Sequence, residues 1–133
     1  TRPADSRVRA VLDTSVVLAN DMGSLDGELA ISSITLAEIH FGVLVAKEHS
    51  IRAERLRRLL VLQRAFDALP LDNAVAASYG LVAAAVVNAG RQPRTRSLDL
   101  LIAATAHAHS ALLYTRNLTD FQGLEGLVEV VAV

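Results

Sequence analysis

Hydrophobic and polar positions along the chain form two kinds of segment. Short continuous apolar runs are typical of buried strands, and longer stretches with apolar residues every three or four positions are typical of helices. The predicted strands are Val8–Leu12, Leu29–Ile31, Ala68–Leu71, Ala111–Tyr114 and Leu127–Val131. The predicted helices are Val16–Ala19, Leu36–Ala46, Ile51–Phe66, Asp72–Gly90 and Ser97–His109. Alternating strands and helices pair in parallel through right-handed crossovers, so the pattern predicts a three-layer α/β/α sandwich.

Several residues mark the ends of these elements. Asp72 is predicted to cap the long fourth helix at its amino end, and Gly90 to end that helix. Ser97 is predicted to cap the helix that follows. Pro70 lacks a backbone N–H, which places its strand at an edge of the sheet.

Composition narrows the class of protein. The 133 residues fit a single domain over positions 1–133. A chain that is 52% hydrophobic and 20% charged is not intrinsically disordered. The absence of cysteine excludes disulfides, thiolate metal sites and cysteine nucleophiles. No apolar run approaches the ~20 residues of a membrane span, so we expect a soluble, cytoplasmic protein.

The formal net charge of −1 conceals two groups of arginines. Lys47 is the only lysine among the 13 basic residues. The two groups are Arg52, Arg55, Arg57, Arg58 and Arg64, and then Arg91, Arg94 and Arg96. A guanidinium group suits phosphate or carboxylate ligands, but for either group alone we favour a solvated helix face.

Five polar residues follow predicted strand ends or open predicted helices. They are Asp13, Glu38, Asp99, Asn117 and Asp120. In a parallel sheet, the carboxyl ends of the strands and the amino ends of the following helices share one edge, where ligands bind. We therefore expect all five side chains at a single rim.

Each of these residues also has a purely structural interpretation. Asp13 could cap the next helix, Thr35 and Glu38 match a capping box, and Asp99 favours a helix dipole. The two residues after the fourth strand are common in turns. Converging carboxylates, however, repel one another unless a cation lies among them, and oxygen ligands favour Mg²⁺ or Mn²⁺. Such an ion activates water against a phosphodiester, and the site needs no histidine as general base.

The four histidines have no obvious serine or aspartate partner in the sequence. They are His40, His49, His107 and His109. We interpret them as surface or helix-end residues.

Four segments, in order and over nearly the whole chain, resemble the motifs of the PIN-domain ribonucleases, and specifically of the VapC toxins of prokaryotic toxin–antitoxin pairs. They are Leu12–Ser15, Ser32–Gly42, Asp99–Ala106 and Thr115–Phe121. The resemblance implies a five-stranded parallel sheet in the order 3-2-1-4-5 and a Mg²⁺- or Mn²⁺-dependent endoribonuclease. It also implies a toxin homodimer, a cognate VapB-type antitoxin, and a structured RNA substrate such as a tRNA anticodon loop.

The resemblance assigns roles to individual residues. Asp13 and Asp99 would hold the ion, Glu38 would ligate it or orient the attacking water, and cleavage would leave a 5′-phosphate and a 3′-hydroxyl. Where the family often has a fourth aspartate this chain has Asn117, so we expect Asp120 to supply that carboxylate. The predicted supporting residues are Thr14, Ser15, Thr115 and Asn117. The candidates for RNA phosphate contacts are Arg91, Arg94, Arg96 and Arg116, with the first arginine group as a further candidate.

Two alternatives remain open from the sequence. A phosphoaspartyl-type phosphotransferase would use Asp13 as nucleophile, but it would normally carry a second aspartate at position 15 and a late lysine, both absent here. A non-catalytic PIN-fold interaction module would have no reason to keep repelling carboxylates. In such a module, Glu38 would bind the amides of its own helix.

The predicted helices Ile51–Phe66 and Asp72–Gly90 carry more apolar positions than one buried face requires. Excess exposed apolar surface marks an interface. We therefore expect the antitoxin to lie along this surface and to place a basic side chain among the acids.

Overall fold

The computed structural model describes residues 9–19 and 22–133, so Val8, the predicted start of the first strand, lies outside the described residues. The strands are β1 (Ala10–Leu12), β2 (Leu29–Ala30), β3 (Leu112–Thr115) and β4 (Val130–Ala132). The helices are α1 (Thr14–Val17), α2 (Ser33–Val45), α3 (His49–Ala65), α4 (Asn73–Asn88) and α5 (Ser97–Ala108). Short 3-10 helices span Met22–Ser24, Pro93–Arg96 and Leu118–Phe121. None of the helices in the described part is long and apolar enough to cross a membrane.

The strands form one parallel sheet in the order β2-β1-β3-β4, with helices packed on both faces. Successive side chains of a strand point to opposite faces, and β1 is buried on both. Val11 packs in a core with α4 and α5, whereas Leu12 packs in a second core with α1, α2 and α3. The predicted α/β/α sandwich is confirmed.

The described residues contain four strands rather than the five expected. In the predicted strand Ala68–Leu71, only Leu69 joins the sheet, as an isolated parallel bridge to Ser32. The Leu69 N–H donates to the Ile31 carbonyl at 2.9 Å and the Leu69 carbonyl accepts from the Ser33 N–H at 2.8 Å, and the pairing stops there because the neighbouring segment enters α2 at Ser33. Leu69 thus lies beside β2 at the outer edge, where the order 3-2-1-4-5 places the missing strand.

The last strand begins at Val130, three residues later than predicted. The N–H groups of Leu127 and Val128 instead donate to the Leu124 carbonyl, at 3.0 and 3.2 Å. These two residues therefore belong to a turn, which delays the pairing of β4 with β3.

Two of the three predicted helix signals are confirmed. The Asp72 carboxylate accepts a hydrogen bond from the Val75 N–H at 3.0 Å, and Gly90 follows α4 with φ +80°, a conformation that glycine adopts without strain. Ser97 is not a cap: it is the first residue of α5, and its hydroxyl donates to the Arg94 carbonyl at 3.1 Å. The preceding 3-10 turn runs directly into α5, so the cap predicted there is wrong.

Two arginines of the first group support the end of α2. Arg52 donates to the carbonyls of Leu44 and Ala46 at 3.2 and 2.9 Å, and Arg55 donates to the Gly42 carbonyl at 2.7 Å. The last carbonyls of a helix lack intrahelical partners, so α3 supplies donors to the carboxyl end of α2.

Candidate active site

Asp13 follows β1 directly and is 3% exposed. Its Oδ2 accepts hydrogen bonds from the Ser15 hydroxyl at 2.7 Å and the Thr115 hydroxyl at 2.9 Å. Asp13 occupies the cap position of α1, but its side chain makes no capping hydrogen bond, so the capping interpretation is wrong. Two hydroxyl groups instead fix the orientation of this buried carboxylate.

The same two hydroxyls connect Asp13 to the loop after β3. The Thr115 hydroxyl accepts from the Asn117 N–H at 2.9 Å, and the Ser15 hydroxyl accepts from the Arg116 N–H at 3.1 Å. Asn117 thus contributes its backbone to this arrangement, while its residue as a whole is exposed. Adjacent parallel strands bring these groups together from positions about a hundred residues apart in the chain.

Glu38 lies in the second turn of α2 and reaches across to α1. The cap of α2 is Ser32, whose hydroxyl accepts from the Thr35 N–H at 3.1 Å. Glu38 Oε1 accepts from the Thr14 hydroxyl at 2.6 Å, and that hydroxyl is 2.9 Å from the Thr35 hydroxyl. The capping box predicted from Thr35 and Glu38 is therefore wrong, since Ser32 takes the capping position and frees Glu38 for a tertiary contact.

Asp99 and Asp120 approach the same edge from two further segments. Asp99 lies in the first turn of α5, and Asp120 lies in the 3-10 turn that follows β3. Arg96 Nη1 is 2.5 Å from Asp120 Oδ1 and 3.8 Å from Asp99 Oδ2. Arg96, a candidate for RNA contact, is thus engaged by two of the acids.

The pKa of Asp99 reflects the acids around it. Burial, together with the negative charges of Asp13, Asp120 and Glu38, raises the pKa of Asp99 from an ordinary value of 3.8 to about 6, against the opposing effect of Arg96. A carboxylate responds in this way only to charges in its neighbourhood. We call Asp13, Glu38, Asp99 and Asp120 the acidic site.

The acids converge, but each one is held by another partner. Within residues 9–19 and 22–133, no three acidic or histidine side chains form a ready-made cluster for one ion. The chemistry of the acidic site nevertheless fits a hard divalent cation, because it offers several carboxylate oxygens, partly buried, with an excess of negative charge. Asp13, Asp99 and Asp120 are the residues that could hold such an ion once Asp120 leaves Arg96.

The remaining arginine candidates differ in their surroundings. Arg91 donates to the Gln122 side-chain oxygen at 2.5 Å, which occupies one of its nitrogens. Arg94 and Arg116 are exposed. Exposed guanidinium groups of this kind can contact a phosphate backbone.

One histidine has a partner that the sequence did not indicate. His107 Nδ1 lies 2.8 Å from the hydroxyl of the buried Ser78, so the expectation of an unpartnered histidine is wrong at this position. The contact joins α5 to α4 across 29 positions of sequence. No periodicity within either helix could have paired these two residues.

A groove of about 730 Å³ opens beside the acidic site. Its lining combines the polar groups of α1 and α2 with exposed apolar and basic side chains. The lining residues that matter for its chemistry are Thr14, Leu18, Glu38, Phe41, Arg55, Arg58 and Leu98. This groove differs from the partner surface expected on the third and fourth predicted helices, since α3 contributes only Arg55 and Arg58 to its lining and α4 contributes none of the lining residues.

Comparison with known proteins agrees with this architecture. The family model for the PIN domain matches residues 10–124. Ribonuclease VapC5 of Mycobacterium tuberculosis is 37% identical over 131 residues, covering 92% of this chain and 94% of the relative. Ribonuclease VapC4 of the same organism is 32% identical, covering 94% of this chain and 97% of the relative. The crystal structure of VapBC-5, a toxin–antitoxin system of M. tuberculosis, aligns with a TM-score of 0.79 and 33% identity over 95% of this chain and 98% of that chain.

Proposed function

We propose a function from the premise that this chain belongs to the PIN domain family and, within it, to the VapC ribonuclease toxins. The chain is a ribonuclease toxin with a VapB-type antitoxin as its partner. Our proposal goes further: cleavage depends on Mg²⁺ or Mn²⁺ bound at the acidic site, and the substrate is a structured RNA. The observation that carries the proposal is the convergence of acids from four segments at one edge of the sheet, where Arg96 contacts both Asp99 and Asp120 and the charges of Asp13, Asp120 and Glu38 add to burial in raising the pKa of Asp99.

The chain's own groups divide the work of phosphodiester hydrolysis. Asp13 is held rigidly by Ser15 and Thr115, so its carboxylate is oriented before any ligand arrives. The Thr14 hydroxyl donates a hydrogen bond to one carboxylate oxygen of Glu38 and so fixes the side chain. In this position Glu38 would orient the attacking water and receive its proton. Water oxygen joins phosphorus as the bond from phosphorus to the 3′ oxygen breaks, giving a 5′-phosphate and a 3′-hydroxyl.

A bound divalent ion would supply activation of water and neutralisation of the charge that develops on the phosphate. Asp13, Asp99 and Asp120 would hold the ion. This set relies on Asp120 for the carboxylate that Asn117 lacks. Arg94 and Arg116 would contact the RNA phosphates on either side of the scissile bond.

Neither alternative from the sequence gains support. The residue two positions after Asp13 is Ser15, whose hydroxyl donates to Asp13, and the only lysine is Lys47, so the second aspartate and the late lysine of a phosphoaspartyl enzyme are both absent. In a non-catalytic module, Glu38 would bind the amides of its own helix. Glu38 instead accepts a hydrogen bond from the Thr14 hydroxyl.

The groove beside the acidic site is the proposed binding site of the antitoxin. Leu18, Phe41 and Leu98 give it an apolar lining, and Glu38 of the acidic site also lines it. An apolar segment of the antitoxin would fill it and bring a basic side chain to the acids, where that charge would compete with the ion. The homodimer implied by the family would use another surface: α4 exposes Leu81 and Val87, which do not line the groove.

The proposed metal dependence is tested by cleavage of RNA with and without a chelator. We expect the purified chain to cut bulk tRNA in Mg²⁺ or Mn²⁺, to stop in excess EDTA, and to resume when Mn²⁺ is restored, because the acids repel one another without a cation. A single-stranded RNA of equal length serves as the comparison for substrate class. Undiminished cleavage in EDTA would contradict the metal dependence, and equal cleavage of both RNAs would contradict the preference for structure.

Replacing Phe41 by alanine tests the proposed antitoxin-binding site. Phe41 is 67% exposed and lines the groove, so the Phe41→Ala variant is expected to need at least about tenfold more cognate antitoxin for half inhibition, with unchanged cleavage in its absence. Leu71→Ala is the control, because Leu71 is also exposed but does not line the groove. Equal inhibition of the two variants would show that the antitoxin binds elsewhere.

A further inference from the structure

Arg96 is the basic side chain at the acidic site. It stands where the 3-10 turn Pro93–Arg96 meets α5, and its side chain is 39% exposed. Its Nη1 lies 2.5 Å from Asp120 Oδ1 and 3.8 Å from Asp99 Oδ2, and these two carboxylate side chains are 23% and 27% exposed. A short, partly buried charge-assisted contact of this kind is stronger than a surface ion pair.

The guanidinium group and a divalent ion need the same carboxylate. Mg²⁺ or Mn²⁺ draws its carboxylate oxygens to about 2.1 Å, and repels a positive charge placed among its ligands. Asp120 cannot keep its hydrogen bond to Arg96 in the same geometry while that oxygen binds the ion.

We propose that Arg96 is an internal competitor for the divalent cation: it holds Asp120 in the metal-free chain, and the cation must displace it from that carboxylate. This inference rests on the proposed metal dependence. It assigns Arg96 a positioning role that limits metal affinity, in place of the direct RNA contact expected from the sequence. The exchange keeps the acidic site partly neutralised when no ion is bound, and it opens the site when one arrives.

The test is the affinity of the full chain for Mn²⁺ alone, measured from the electron paramagnetic resonance signal of free Mn²⁺. Arg96→Gln is expected to bind Mn²⁺ about threefold to tenfold more tightly than the parent, because no guanidinium group has to be displaced. The melting temperature of the same variant in EDTA is expected to fall by a few degrees, because the acids lose their counter-charge. Arg94→Gln is the matched control, with the same loss of charge at an exposed position two residues away.

Making the Arg96→Gln substitution in an Asp120→Asn variant shows whether the change in Mn²⁺ affinity depends on Asp120. In that background, the further change Arg96→Gln is expected to alter Mn²⁺ affinity by less than about twofold, because the contested carboxylate is gone. If Arg96→Gln binds Mn²⁺ no more tightly than Arg94→Gln, the competitor role is wrong. A lower melting temperature without tighter Mn²⁺ binding would show that Arg96 has only a structural role. That result leaves the nuclease proposal intact when the parent still cleaves RNA in a Mn²⁺-dependent manner. Absence of Mn²⁺ binding in every variant would overturn both.

Discussion

Asp13→Asn is expected to lower the rate of RNA cleavage by about a thousandfold or more, since a bound metal ion contributes several kcal/mol to phosphodiester hydrolysis. The fold is expected to survive, because an asparagine carbonyl can still accept the hydroxyls of Ser15 and Thr115. The change removes charge from the buried acid of the site while preserving its shape. Initial rates on labelled RNA and the melting temperature measure the two parts of this prediction.

The control for this variant is Asp67→Asn, which removes one negative charge from an exposed residue that makes no contact with the acidic site. We expect it to cleave RNA as fast as the parent. An Asp13→Asn protein that is folded and equally active would show that the catalytic site lies elsewhere.

Asp99→Asn is expected to make the metal-free chain more stable above pH 6 and inactive as a nuclease. In the folded chain the pKa of Asp99 is about 6, against 3.8 as its ordinary value, so between these values the folded state binds a proton that the unfolded state does not. Stability from this group is therefore present at low pH and is lost as the pH rises through 6. Because the side chain is partly exposed, the loss is about 1–2 kcal/mol.

Unfolding in urea with EDTA, at pH 4.5 and pH 7.5, measures this effect. The stability advantage of Asp99→Asn over the parent is expected to be small at pH 4.5 and to widen at pH 7.5. Mn²⁺ is expected to stabilise the parent at pH 7.5 and to have little effect on the variant. An advantage that does not change with pH would mean that repulsion among the acids is not its cause.

The architecture of the site could be predicted from local patterns. Apolar runs locate the strands, and topology then brings every strand end to one edge, so the convergence of Asp13 and Asp99 follows from their positions in the sequence. Charge repulsion at that edge follows from the same reasoning, and the raised pKa of Asp99 agrees with it. The sequence pattern therefore predicts where the acidic site lies and that its charge is negative.

The partners of these side chains could not be predicted, because they depend on packing between distant segments. Ser32 and Thr35 are both acceptable helix caps, and only the tertiary structure, in which Ser32 takes the cap, leaves Glu38 to reach Thr14. The pair of Arg96 with Asp120 spans 24 positions and depends on how two 3-10 turns meet. Edge pairing is equally marginal, since the predicted strand Ala68–Leu71 joins the sheet only through Leu69.

We propose that Asp13, Asp99 and Asp120 hold one divalent cation, and locating Mn²⁺ by anomalous scattering in crystals of the chain tests this most directly. We expect a Mn²⁺ peak at the acidic site, about 2.1 Å from carboxylate oxygens of Asp13 and Asp99, with Asp120 turned away from Arg96. An empty acidic site at saturating Mn²⁺, in a protein that cleaves RNA, would contradict it.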